Sequence, residues 1–228
     1  MKVALLVCDH VRDDLVAAHG DYPKMFQKLL PTLPMDSWFV CDGQFPDIND
    51  YDAFVCTGSK HSVYEKIEWI DDLSQFTRDI FNSGKKFVGS CFGHQMMAHA
   101  LGGVVNKSAH GYLIGVHTFQ ISERLPWIEE DVSTFNVLML CQDQVAELPS
   151  NSKVWASSST CPIGIFTIGS NFLGIQGHPE FTKAYNQAVF ERRPERISTE
   201  KMEAAKQSFA SSPDTAFLSH LLTEFINA

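Results

Sequence analysis

The order of apolar and polar positions divides the chain into two stretches with different rhythms. In the first, short apolar runs near 2–8, 37–41, 53–57 and 86–90 alternate with amphipathic segments near 22–30, 67–82 and 94–101. Runs so short and continuous read as strands covered on both faces, and the 3.6-residue period between them reads as helix. Phe76, Ile80 and Phe81 follow that helical spacing and are assigned to the core. This alternation predicts a parallel sheet with helices packed on it. After Gly102-Gly103 the rhythm changes. Residues 104–122, 134–141, 153–159 and 164–176 read as further strands, several of them antiparallel, and the chain finishes helically over 182–191, 199–210 and 216–226. The expected fold class is α/β: three layers, with a mostly parallel central sheet flanked by helices, plus a smaller antiparallel sheet.

Composition narrows the possibilities. A length of 228 residues suits one domain with a substantial core, and no linker interrupts it, so residues 1–228 are expected to fold as one domain. The formal net charge of −9 and the absence of clustered cations argue against a nucleic-acid partner. The cationic stretch Glu191-Arg-Arg-Pro-Glu-Arg196 is interleaved with carboxylates and reads as a solvated helix end broken by Pro194. No segment has the apolar length of a membrane span. The run Lys2–Cys8 is too short, and too soon followed by Asp9 and His10, for a secretory signal, so no membrane partner and a cytoplasmic location are expected. The 6 cysteines include no Cys-x-x-Cys pair and lie mostly in apolar runs, which favours buried thiols over disulfides or zinc ligands. His94 and His99, five apart on a helix, do not share a face suited to chelation, so no metal is expected. Gly111-Tyr-Leu-Ile-Gly115 lacks the lysine and the context of a phosphate loop, and no cofactor is expected.

The chemistry gathers at three places. In Phe87-Val-Gly-Ser-Cys91-Phe-Gly-His-Gln95 an apolar strand runs straight into a turn whose apex is a cysteine flanked by Gly89 and Gly93. A side chain at such a strand-to-helix turn is thrown outward by its strained backbone, and a thiol there stands over a helix N-terminus that favours the thiolate. Far downstream, His178-Pro-Glu180 offers a base and its orienter. In an extended segment residues i and i+2 point the same way, so Glu180 can hold one imidazole nitrogen while the other faces Cys91. Attack on a carbonyl also needs oxyanion donors. The amide of Phe92 supplies one, and Gly58, at the end of the strand Asp52–Thr57, lets a second approach closely.

These segments together resemble the class I glutamine amidotransferases. The elbow pattern Gly-x-Cys-x-Gly-x-Gln is met by Gly89, Cys91, Gly93 and Gln95, and the closing His-Pro-Glu by residues 178–180. The resemblance implies a flavodoxin-like fold, a Cys91-His178-Glu180 triad, an oxyanion hole from Gly58 and Phe92, and a role for Gln95 in holding the glutamyl group. Two departures stand out. The oxyanion segment reads Thr57-Gly58-Ser59 where many biosynthetic members read Gly-Gly-Pro. The loop Leu140-Cys141-Gln142-Asp143 keeps only the aspartate of the Ser-His-Gly-Asp seen in GMP synthase-type glutaminases. Gln142 and Asp143 are the substrate contacts expected from that loop, with Asp143 as partner of the substrate ammonium. The same loop and closing motif are also similar to the plant γ-glutamyl peptidases. The implied activity is that of a stand-alone cysteine hydrolase cleaving a γ-glutamyl amide or peptide bond through a thioester, with glutamine or a γ-glutamyl peptide as its small-molecule substrate. The alternatives are a glutaminase subunit handing ammonia to a separate synthase, and a non-catalytic binding module on the same scaffold.

Overall fold

A computed structural model describes all 228 residues. The first strand, β1 (Val3–Val7), is wholly withdrawn from solvent because both of its faces are covered. Val3, Leu5 and Val7 join one apolar cluster with Phe26 and Leu222, while Ala4 and Leu6 join a second with Ile70, Ile80 and Met96. Alternate side chains of a strand point to opposite faces, so a sheet with helices on both sides shows continuous apolar runs in sequence. Each leucine buried this way contributes about 2 kcal/mol.

The helices of the first stretch are α1 (Asp13–His19), α2 (Tyr22–Leu29), α3 (Glu68–Asn82) and α4 (Phe92–Ala100). Its strands, β1 with β2 (Met35–Phe39), β3 (Ala53–Cys56) and β4 (Lys86–Ser90), pair in parallel in the order β2-β1-β3-β4. Asp21 stands at the N-cap of α2, where its carboxylate accepts from the Tyr22 amide. Helix α1 was not expected from the pattern: Leu15 is its one buried residue, so no apolar period marks it.

The later strands are β5 (Val104–Lys107), β6 (Leu113–Ile121), β7 (Thr134–Cys141), β8 (Asp143–Glu147), β9 (Ser152–Ser157), β10 (Ile165–Ile168) and β11 (Phe172–Ile175). Helices α5 (Lys183–Phe190), α6 (Thr199–Ser208) and α7 (Thr215–Asn227) follow. Most of these strands extend the same sheet. Its order is β2-β1-β3-β4-β11-β10-β9-β6-β7, with β11 parallel to β4 and the strands beyond it antiparallel. The small antiparallel sheet is β5 with β8. The expected run 104–122 is thus two strands in two sheets, separated by a turn in which Gly111 takes φ +66°. Asp143, expected in a loop, opens β8 opposite Lys107. The C-terminal ends of β3, β4 and β11 meet side by side, where an open α/β sheet leaves room for a ligand.

Candidate active site

Cys91 sits between the last residue of β4 and the first of α4, at φ 49° and ψ −97°. A positive φ strains any residue that carries a Cβ, so the turn needs support from its neighbours. The Cys91 amide donates to the Ile175 carbonyl of β11 at 2.9 Å, and the Cys91 carbonyl accepts from Gln95 at 3.0 Å. Gly89 and Gly93 let strand and helix approach. A Cβ on Gly89 would lie 2.3 Å from the Gly93 carbonyl carbon, and one on Gly93 would lie 2.5 Å from the Cys56 carbonyl oxygen. Both obstacles are backbone, so neither position accepts a side chain without moving the sheet against the helix.

Gly58 follows β3 across from this turn. The Thr57 carbonyl accepts from the Gly93 amide at 3.2 Å, and the trans peptide then turns the Gly58 N–H the opposite way, where it donates to no protein acceptor. Phe92 is the first residue of α4, so its N–H has no intrahelical acceptor either. A Cβ on Gly58 would stand 2.7 Å from His178 Cε1 and 3.7 Å from Cys91 Cβ. Gly58, Cys91 and His178 therefore surround one small space.

His178 is buried, and its Nδ1 lies 2.8 Å from Glu180 Oε1. The pairing expected from i and i+2 is present, but an extended strand does not make it. β11 ends at Ile175, and residues 178–181 form a turn closed by the Phe181 amide on the His178 carbonyl at 3.3 Å. Phe181 stacks on the imidazole at 4.0 Å between ring centres, 4° from parallel, and Thr182 then caps α5. The Ser90 hydroxyl lies 3.2 Å from the Gly177 carbonyl and 3.3 Å from Glu180 Oε2, with one proton to share between the two acceptors.

The charges of the pair support each other. The Cys91 thiol is held well below its ordinary value, chiefly by a hydrogen bond from the Cys141 thiol and then by the positive charge and hydrogen bond of His178; burial opposes them. For His178 burial favours the neutral ring, but the Cys91 thiolate and the Glu180 carboxylate outweigh it and push its pKa up. Cys141 is pushed up by bonding to Cys91 and by burial, so it remains a neutral donor. Both shifts run in the direction that favours a thiolate beside an imidazolium, with unpaired amides close by.

Cys91 opens into a cavity of about 470 Å³ whose walls include Gln95, Lys107, Cys141, Gln142 and Asp143. Asp143 is buried and accepts from the Ser62 hydroxyl. Gln95 donates to the Asp143 carbonyl at 2.7 Å and to Gln176 Oε1 at 3.2 Å, while its own Oε1 accepts nothing within the protein. The Gln142 side chain makes no internal bond, and its carbonyl accepts from Ser108 at 2.9 Å. His178 lines a second cavity of about 810 Å³, which shares Ser59, Lys60, Leu140, Arg193 and Arg196 with the first. The structure thus brings Gly58, Cys91, Phe92, His178 and Glu180 together, and sets Gln95, Gln142 and Asp143 along one wall.

Several contributors were not read from sequence. Gln176 Nε2 donates to the Cys91 sulfur at 3.7 Å, and Ser90, Phe181, Ser62 and Lys107 support or line the site. Cys141 alone left a trace, as a departure from the loop pattern.

The family description "Glutamine amidotransferase class-I" matches residues 41–193. γ-Glutamyl peptidase 3 of Arabidopsis thaliana is 37% identical over 157 residues, which are 65% of this chain and 63% of that protein, so the chain spans a little under two thirds of its length. γ-Glutamyl peptidase 4 of the same plant is 35% identical across 72% of this chain and 70% of its own. Among solved structures, a glutamine amidotransferase from Thermotoga maritima superposes with a TM-score of 0.77 at 19% identity, covering 100% of this chain and 99% of that one.

Proposed function

The chain belongs to the class I glutamine amidotransferase family, and from that premise we propose that it is a cysteine hydrolase that cleaves a γ-glutamyl amide or peptide bond through a thioester. The observation that carries this reading is geometric: Cys91 stands at the strand-to-helix turn, across the space at Gly58 from His178, whose Nδ1 lies 2.8 Å from Glu180 Oε1. In the reaction the thiolate attacks the γ-carbonyl carbon, a C–S bond forms, and the Gly58 and Phe92 amides receive the oxyanion. As the intermediate collapses the C–N bond breaks, and His178 gives its proton to the departing nitrogen. Water then attacks the thioester while neutral His178 takes its proton, the C–S bond breaks, and glutamate leaves with the thiolate restored.

The walls of the smaller cavity suit the amino-acid end of a glutamyl group. Asp143 meets the α-ammonium and Lys107 the α-carboxylate, with Gln142 and the free Oε1 of Gln95 beside them. The six cysteines, all unpaired thiols, fit a reducing compartment such as the cytoplasm. No helix is long and apolar enough to cross a membrane.

Mass-spectrometric product analysis of the purified chain, given glutamine and glutathione separately, tests the reading. Free glutamate is expected to appear with wild type and to fall by at least about 10⁴-fold in Cys91→Ala, whose fold is retained. Equal turnover by the mutant would remove Cys91 from the chemistry.

A further inference from the structure

The segment Arg192–Arg196, read from sequence as a solvated helix end, follows α5 and is mostly exposed, and it also folds over the junction of the two cavities, with Arg193 and Arg196 lining both. Its backbone is a tight turn. The Arg193 amide donates to Phe190 at 3.0 Å, and the Arg193 carbonyl accepts from Arg196 and Ile197, each at 3.0 Å. Phe190 and Ile197 at either end are buried in a small cluster with Ile114 and Met202. Anchored in this way, the turn presents its side chains from a fixed base.

Most cations on the larger cavity are already matched. Lys60 meets Asp9 at 2.7 Å, Arg12 and Arg192 meet Asp14 at 3.0 and 2.7 Å, and Arg196 lies 3.6 Å from Glu195. Arg193 is the exception. It is half-buried, yet its guanidinium makes no hydrogen bond and no ion pair, alone among the arginines of the chain. A planar fork of five donors, held on a rigid turn and left unmatched beside a cavity, is the complement of a carboxylate.

The position of that cavity says where the carboxylate belongs. Cys91 lines only the smaller space and His178 only the larger. A leaving nitrogen protonated by His178 therefore carries whatever is attached to it into the larger space. Ammonia, about the size of a water, needs roughly 30 Å³, whereas the cavity offers about 810 Å³. We propose that Arg193 is a specificity-determining residue that binds a carboxylate on the leaving group, so that the preferred substrates are γ-glutamyl peptides with a free C-terminal carboxylate. This rests on the roles given to Cys91 and His178 above.

The test compares steady-state kinetics on glutathione and on its C-terminal amide for wild type, Arg193→Ala, Arg193→Lys and Cys91→Ala. Wild type is expected to favour the free acid at least about tenfold in kcat/KM, carried by KM. Arg193→Ala should bring the ratio of the two substrates close to one, and Arg193→Lys, which keeps the charge without the fork, should fall between. Equal use of acid and amide by wild type, or an unchanged ratio in Arg193→Ala, overturns the proposal while the hydrolase reading stands. Equal losses on both substrates also overturn it, because Arg193 would then bind the glutamyl α-carboxylate. Cleavage of neither substrate by wild type above the Cys91→Ala level overturns the hydrolase reading and this proposal together.

Discussion

The thiol and the imidazole of this site are held by different means. Cys91 is placed by its backbone: a positive φ, an amide bonded to the neighbouring strand, and two glycines whose missing side chains let α4 touch β4 at Gly89 and β3 at Gly93. The main chain of His178 is bonded too, its amide to the Leu138 carbonyl at 2.8 Å, but its ring is aimed by side chains: a 2.8 Å bond to Glu180 and the ring of Phe181 stacked at 4.0 Å. A backbone device is all or nothing, because an added atom at Gly89 or Gly93 meets main chain that cannot rotate away. A side-chain device can be adjusted, because removing one charge alters the basicity of the imidazole and leaves the fold in place.

Four substitutions probe that difference. Of those that keep the nucleophile, Glu180→Gln should be the most damaging, lowering kcat by about a thousandfold with little loss of stability. Glu180 helps push the His178 pKa up. Without it the imidazolium proton is lost at lower pH, so the alkaline limb of the kcat/KM profile should move toward acid, and an unmoved limb would remove Glu180 from the pair. Gly58→Ala strikes where the two devices meet, its Cβ 2.7 Å from His178 Cε1. A displaced imidazole and a disturbed amide donor predict about a hundredfold loss in kcat with a near-native melting temperature; a large drop in melting temperature would instead mark Gly58 as a folding position.

Cys141→Ala should act only on the thiol. The bond from Cys141 is the largest influence holding the Cys91 pKa down, so its loss raises that pKa and the acid limb moves to higher pH. About a tenfold loss is expected near pH 6 and little at pH 8, and Cys141→Ser, which keeps a donor, should restore the limb. The smallest effect is on stability. A non-glycine residue at φ 49° stores strain of about 1–3 kcal/mol, partly offset by the greater chain entropy glycine loses on folding. Cys91→Gly should therefore melt a few degrees above Cys91→Ala, and equal melting temperatures would show that the elbow is unstrained.

The same contrast explains what could be read from sequence. Gly89, Cys91 and Gly93 announce themselves because they crowd into one five-residue strand-to-helix turn, and His178 and Glu180 because they share one turn. The short, continuous β1 and β3 runs are legible as strands because both faces are apolar. Other contacts depend on register between distant segments: Ser62 bonds Asp143 from 81 residues away, Gln176 reaches Cys91 from 85, and Ser90 reaches Glu180 from 90. No local pattern encodes such a meeting. Helix α1 escaped notice for the opposite reason, being local but carrying too little apolar character to show a period. The arginine turn is a solvated helix end, as its interleaved charges indicate, and only the burial of Phe190 and Ile197 shows that it is also pinned beside the cavities.

The pairing of β11 with β4 joins strands that lie far apart in the chain, and it unites the parallel and antiparallel portions of the sheet. Contacts with such long sequence separation form slowly and late. Until β11 docks, the Cys91 amide lacks the Ile175 carbonyl and the thiol has neither Gln176 nor His178 near it. A chain in which β11 has not docked lacks those neighbours, so the surroundings that lower the Cys91 pKa are assembled only when the sheet is complete.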